Sequence, residues 1–325
     1  MITKEELLNK IIKHPSQGYA LYYYENGNSI IDVKGLETIN SNNKITYNSC
    51  FRLASVSKQF IAFGIVRLIK NGYLKYDTNI LDIFEDLPSY FENITIKNLL
   101  NHTSGIYNYE SMHHEESDPQ LQDKDILTFL KTTDNTYFEI GSTYKYSNTA
   151  YILLGLIITK VTGKTIGEYL KEEIFDKANM VNSYVNYQGI TVIPNRAYGH
   201  IINDDNELIE KDQYWCSATI GDGGIYSCVN DLKKWIKYLI TTPEYQDMKV
   251  PNYINEESYN EYGLGIRIIK AKDVPIIYHC GETIGTNTLL LFSEELNIYL
   301  IFLTNLDSID TSIIKDNLLK YLNEN

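Results

Sequence analysis

The sequence predicts an α+β protein: an antiparallel sheet flanked by helices, with a mainly helical subdomain inserted into the chain. Three observations lead there. Strand-like runs gather at both ends of the chain, and helical runs gather in its middle. Short turns join neighbouring strand-like runs, as antiparallel pairs require. No internal repeat or low-complexity segment points elsewhere. One domain is expected over residues 1–325, with its α/β part at about 1–85 and 215–325 and its helical part at about 86–214.

The elements follow in order. Tyr19–Tyr24 and Ser29–Val33 flank Glu25-Asn26-Gly27-Asn28, a hairpin signal. A polar stretch, Gly35–Asn48, leads to an apolar helix that ends at Asn71-Gly72. Ile96–Leu100 reads as a helix closed by a turn at Gly105. Tyr107–Asp123 is polar and acidic, a surface loop or lid. A helix runs from Tyr146-Ser147-Asn148 through Ile158, and a capping box at Thr165 and Glu168 starts the next, to Met180. Ser183–Glu210 reads as short strands. Leu232, Trp235, Ile236 and Leu239 have helical spacing, and Thr241–Glu261 reads as a polar loop. Strands are expected at Gly265–Ile269, Ile276–Tyr278, Thr288–Phe292 and Ile298–Thr304, and a last helix at Thr311–Leu322.

Composition narrows the function classes. Hydrophobic residues make up 43% and charged residues 22%, the balance of a globular chain. A formal net charge of −13 argues against nucleic acid or anionic membrane as a partner. The longest apolar stretch, Tyr151–Ile158, is too short to span a bilayer. Met1–Pro15 reads as an amphipathic helix with Glu5 and Glu6 near its start, not as a signal peptide, so a cytoplasmic protein is expected. Cys50, Cys216, Cys228 and Cys280 form no C-x-x-C pair, which removes zinc-ribbon and thioredoxin readings and leaves buried free thiols. His113-His114 lies in an acidic stretch that reads as a solvated loop rather than a metal site.

Chemistry concentrates at the start of the first long helix, FRLASVSKQFIAFGIVRLIK. Ser55 and Lys58 are three residues apart and share a face. A free serine is a poor nucleophile and needs a neighbour to take its proton. A helix start also offers unpaired N–H groups that suit a developing oxyanion. The tetrad recurs by accident at Ser41–Lys44 in a polar loop, so its partners must carry the rest of the case. Tyr146-Ser147-Asn148 stands at the mouth of a second buried helix. Tyr-x-Asn recurs at Tyr24, Tyr184, Tyr253 and Tyr321, so context alone distinguishes Tyr146. A phenol becomes a usable base only beside cations, and Lys58 is one. Asn148 offers an amide to a substrate carbonyl. A third cluster, Tyr278–Gly285, directly precedes a strand. Gly281 in it allows close backbone approach, and an N–H there could complete an oxyanion hole.

The ordered set FRLASVSKQF, LLNHTSGI, GSTYKYSNTAYILLG, GDGGIYS with DLKKW, YGLGI and YHCGETIG resembles the class C β-lactamase-like serine hydrolases. Penicillin-binding proteins, DD-peptidases, D-aminopeptidases and esterases belong to that group, and the set covers roughly Tyr19–Asn305. The resemblance implies a β-lactamase/transpeptidase-like fold and an acyl-enzyme mechanism with no metal or organic cofactor. It implies Ser55 as nucleophile, Lys58 as its proton partner, Tyr146 as general base and acid, and Asn148 as a substrate-positioning side chain. The N–H groups of Ser55 and Glu282 would form the oxyanion hole, and Gly221–Gly224 and Asn101–Gly105 would line or brace the cleft.

One position departs from the family pattern. Where class C β-lactamases and DD-peptidases carry Lys-Thr-Gly, this chain has His279-Cys280-Gly281, followed by Glu282. A histidine is largely neutral at pH 7. Substrates with a carboxylate at that place, penicillins and C-terminal D-Ala peptides, are therefore disfavoured on charge. An uncharged or cationic small molecule or short peptide is the expected partner, bound with help from His279, Gly281 and Glu282. The alternatives are a protein acylated by β-lactams and a scaffold or sensor of the same fold without turnover.

Overall fold

Apolar runs along the central strands, buried on both faces, build two cores, one on each face of a single large sheet. The structure, a computed structural model, describes residues 1–9, 11, 18–115, 118–255 and 260–325. In chain order, α1 spans Lys4–Leu7, β1 Tyr19–Glu25, β2 Asn28–Lys34, β3 Phe51–Arg52 and α2 Lys58–Lys70. Helices α3 Ile96–Leu100, α4 Asp123–Leu130, α5 Asn148–Thr162 and α6 Ile166–Leu170 follow. Then come the short strands β4 Tyr184–Val185, β5 His200–Ile202, β6 Leu208–Glu210 and β7 Ile225–Ser227. Helices α7 Val229–Leu239 and α8 Pro243–Met248 lead into strands β8 Tyr253–Asn255, β9 Asn260–Tyr262, β10 Arg267–Ala271, β11 Val274–Thr283, β12 Thr286–Ser293 and β13 Ile298–Thr304. Helix α9, Ser312–Glu324, closes the chain.

The eight-stranded sheet has the order β2-β1-β13-β12-β11-β10-β9-β8, and its neighbours pair antiparallel. Both ends of the chain supply it, as the segregated strands predict. Successive side chains on a strand point to opposite faces. Tyr19, Leu21, Tyr23, Leu289, Leu291, Leu300 and Phe302 accordingly pack with Leu7, Ile314 and Leu318 of α1 and α9. Ala20, Leu290, Phe292, Ile301 and Leu303 face the other way, toward α2, α5 and α7. On that side Trp235 of α7 stacks on Phe60 at 4.4 Å and meets Phe63 edge-on at 5.3 Å, which seats α2. In the N-terminal hairpin, Asn26 and Gly27 both have positive φ, 47° and 94°, as a two-residue turn that matches strand twist requires.

Four expectations change. The N-terminal helix covers only Lys4–Leu7, capped by Thr3 and Glu6, and residues 10 and 12–17 of the expected Met1–Pro15 helix lie outside the described residues. Thr241–Glu261 is not one loop: Pro243 opens α8, and the backbone of Tyr253–Asn255 and Asn260–Tyr262 adds two edge strands. A proline at the first helical turn has no N–H to waste there, a signal that its polar surroundings hide. His279–Thr283 does not precede a strand but belongs to β11, where Gly281 is tolerated because the neighbouring backbone comes so close. All four thiols are unpaired, yet only Cys50 and Cys228 are buried, while Cys216 and Cys280 are half-buried. Among the described residues no single helix is long and apolar enough to cross a membrane.

Candidate active site

Strand β3 delivers the chain to a 3₁₀ turn, Ala54–Ser57, and α2 begins only at Lys58. The expectation of one α-helical rod through both residues is thus corrected. The tighter turn strengthens the pairing, because side chains at i and i+3 eclipse in a 3₁₀ helix. Lys58 Nζ donates to Ser55 Oγ at 3.0 Å. Ala54 holds φ 47°, a left-handed conformation costing roughly 1–3 kcal/mol that persists only where the surroundings enforce it. Strand β11 does the enforcing. A Cβ on Gly281 would lie 2.1 Å from the Leu53 carbonyl oxygen, so only glycine lets β11 pass there. Thr288 Oγ1 donates to the same oxygen at 2.9 Å.

Lys58 is fully buried. Its other donors reach Asn148 Oδ1 at 2.7 Å and the Asp222 carbonyl at 2.8 Å. Three acceptors match the three N–H groups of an ammonium. The Asp222 carbonyl belongs to the Gly221–Gly224 loop. Asp123 of α4, buried, braces that loop by accepting from Ile220 N at 2.8 Å and Gly221 N at 3.3 Å. Burial pushes the Asp123 carboxyl up to about 7, and those two N–H groups only partly offset it.

Asn148 opens α5, behind the Ser147 hydroxyl that caps the helix. Its amide bridges the site, because Nδ2 donates to Glu110 Oε1 at 2.5 Å while Oδ1 accepts from Lys58. Tyr146 comes to the same place. Lys58 Nζ lies 5.0 Å from its ring centroid, although Tyr146 Oη hydrogen-bonds neither Ser55 nor any other described side chain. Ser55, Lys58, Tyr146 and Asn148, drawn from two distant segments, therefore meet around one ammonium.

Behind Tyr146 runs a chain of hydrogen bonds with one consistent direction. Ser147 N donates to His102 Nδ1 at 3.1 Å, which places the His102 proton on Nε2. That nitrogen reaches Tyr262 Oη at 3.0 Å, and Tyr262 in turn makes a longer contact, 3.4 Å, with His279 Nε2. His279 Nδ1 donates to the Cys280 carbonyl at 2.6 Å. Both histidines are buried, and burial holds both well below the ordinary histidine range, with Lys58 and Arg267 adding to the effect. The His102 ring lies tilted against that of Tyr146, with the ring centroids 4.5 Å apart. His279 is thus placed as an internal link, with both ring nitrogens engaged inside the fold.

The open side is a cleft of about 490 Å³ lined by Ser55, Asn148 and Glu282 together with Tyr109, Glu110, Asp222 and Asp307. Glu282 is exposed and faces it, beside Gly281 on β11. The only arginine in this lining, Arg52, is buried and turned to the Gly223 and Ser217 carbonyls. Tyr109 donates to Asp222 Oδ2 at 2.9 Å, which ties the Tyr107–Asp123 segment to the cleft floor. Glu110, Tyr262 and Arg267 were not singled out from the sequence. Glu110 sits in the segment read as a possible lid, Tyr262 inside YGLGI and Arg267 directly after it, while Asp222 lies in the Gly221–Gly224 stretch expected to line or brace the cleft. His113 and His114, by contrast, bind Glu115 at 2.7 Å and stack on Trp215 at 5.1 Å, and among the described residues no group of three metal-binding side chains occurs.

Known proteins share this fold. Penicillin-binding protein 4* of Bacillus subtilis is 29% identical over 277 residues, 79% of this chain and 61% of that protein, so the chain spans about three fifths of that relative's length. The crystal structure of a penicillin-binding protein from Bacillus halodurans superimposes with a TM-score of 0.82 at 24% identity, covering 93% of this chain and 95% of that one. The D-amino acid amidase of Ochrobactrum anthropi SV3, complexed with L-phenylalanine, does so with 0.78 at 23% identity, covering 94% and 93%. These likenesses show the β-lactamase/transpeptidase-like fold. The beta-lactamase family model matches residues 8–321, nearly the whole chain, and the chain belongs to that family.

Proposed function

We propose that the chain is a serine hydrolase that cleaves an amide or ester through an acyl-enzyme, with Ser55 as nucleophile and a neutral or amine-bearing substrate favoured. The 3.0 Å contact between Ser55 Oγ and a buried Lys58, at the mouth of an acid-rimmed cleft, carries the reading. As Ser55 Oγ bonds to the carbonyl carbon, its proton passes to Tyr146 Oη, which enters the step as phenolate beside the Lys58 ammonium. Tyr146 returns the proton to the leaving amine or alcohol as the C–N or C–O bond breaks. Water repeats the attack and frees the acid. The N–H groups of Ser55 and Glu282 hold the oxyanion, Gly281 brings the second of them close, and Asn148 orients the substrate carbonyl. Glu110 and Glu282 favour a cation at the mouth, where a substrate's free amine would lie.

The names of the relatives support two substrate classes. The amidase neighbour is described as acting on D-amino acid amides, which fits the acidic mouth. The penicillin-binding relatives favour acylation by β-lactams as a second reading. Turnover of a D-aminoacyl anilide and a short-chain nitrophenyl ester, measured against nitrocefin, separates them. Nitrocefin hydrolysis faster by orders of magnitude would overturn the charge argument. Stable penicillin adducts without release would identify a sensor. Labelling by a fluorophosphonate probe that disappears in Ser55→Ala is the expected result, and an unlabelled wild-type chain would leave only the scaffold reading.

A further inference from the structure

A second cation faces Tyr146 from a strand that the proposed chemistry does not yet use. Arg267 is the first residue of β10, paired with Tyr262 on β9 and Tyr278 on β11. Its guanidinium carbon lies 5.2 Å from the Tyr146 ring centroid and 5.6 Å from that of Tyr262. Lys58 Nζ stands 5.0 Å from the same Tyr146 ring. Among the described residues no carboxylate pairs with Arg267. The neutral phenols of Tyr144, Tyr146, Tyr262 and Tyr278 lie around it, and its charge helps to hold both buried histidines unprotonated. Placing a half-buried cation among phenols, with no acid among the described residues to balance it, is unfavourable unless the charge is used.

We propose that Arg267 is a positioning residue for Tyr146: with Lys58 it clamps the phenol ring and supplies the second positive charge under which Tyr146 exchanges a proton with Ser55. The inference rests on the hydrolase reading above. Lys58 is already committed to three acceptors and can shift little. Among the described residues Tyr146 Oη has no hydrogen-bond partner to fix the side chain, and the cation–aromatic contacts with Lys58 and Arg267 do that in its place. A swing of the whole side chain about χ1 would displace the phenol oxygen relative to Ser55 while leaving the cleft mouth intact. Arg267 therefore acts on the chemical step and not on substrate binding.

The test is steady-state turnover of a nitrophenyl ester by Arg267→Gln, Arg267→Lys, Tyr146→Phe and the double variant Arg267→Gln/Tyr146→Phe. The expected result for Arg267→Gln is a kcat lowered about 30-fold or more with KM within about threefold, and recovery to within about fivefold of wild type in Arg267→Lys. In the Tyr146→Phe background the same substitution lowers kcat by less than about threefold, because its target is gone. If Arg267→Gln does not fold, Arg267→Met fills the same space without unpaired polar atoms, and the same cycle applies. The proposal is overturned by a wild-type kcat in Arg267→Gln, by a loss confined to KM, by a lysine variant no better than glutamine, or by an equal loss with and without the Tyr146 hydroxyl. Failure of the hydrolase reading looks different, since the wild type itself would then be inert to the fluorophosphonate probe.

Discussion

Two regions meet at Ser55 and are built on opposite principles. At the cleft mouth Glu110, Glu282 and Asp307 are exposed or half-buried, come from three separate segments, and give the cleft a negative rim. Behind it Lys58, His102, Tyr262 and His279 are buried and joined by hydrogen bonds to one another or to backbone, with cationic Lys58 and Arg267 among neutral rings. Water screens the rim, so substitutions there should shift preference by modest factors. The floor is dry, so an unpaired group there is expensive and a displaced one stops the chemistry. On the proposed reading, selectivity and catalysis are thus separable, and each can be attacked without the other.

The largest effect is expected at the floor. Lys58→Met keeps the buried volume but removes all three donors, and kcat for an ester should fall about 10³-fold or more. A loss under tenfold would mean that the floor is only scaffolding. Tyr262→Phe is next. It leaves His102 Nε2–H and His279 Nε2 without their shared partner, which should lower stability by about 1–3 kcal/mol and kcat by about tenfold, with KM little changed. Thermal melting and steady-state kinetics check both, and a change in KM alone would place Tyr262 with the mouth.

At the mouth, Glu110→Gln and Glu282→Gln should each raise KM about three- to tenfold for a substrate with a free amine. The N-acetylated analogue should be unaffected, and equal changes for both substrates would show that charge is not what the rim reads. The smallest effect concerns pH and sharpens the contrast between dry and wet groups. His102 and His279 bind protons less readily folded than unfolded, so the unfolded chain takes up protons first as pH drops through about 6.5. Their contribution to stability is therefore present above that pH and lost below it. Asp123 has the opposite sign: its carboxyl, pushed up to about 7, favours the folded state at low pH, and that contribution fades as pH rises from about 4 toward 7. Asp123→Asn, which still offers an oxygen to Ile220 N, should flatten the fading part of a melting-temperature profile, whereas a rim variant such as Glu282→Gln should leave the profile unchanged.

Much of the scaffold was legible. The strand runs Leu289–Phe292 and Ile298–Thr304 reappear as the paired strands β12 and β13, and the Asn26-Gly27 turn as a hairpin. The spacing of Ser55 and Lys58 placed hydroxyl and amine together, and α5 begins where Tyr146-Ser147-Asn148 marks it. The edge strands β8 and β9 were illegible because short polar segments acquire strand form only from the neighbour they pair with.

By itself the chain order of residues determined which groups can do chemistry and which faces must be buried, because both follow from side-chain type and local period. Only the tertiary structure decided which of those groups share a site. Glu110 reaches Asn148 across 38 residues, and Arg267 reaches Tyr146 from another strand. Such contacts depend on how the sheet and helices close over one another, and no local pattern encodes that distance.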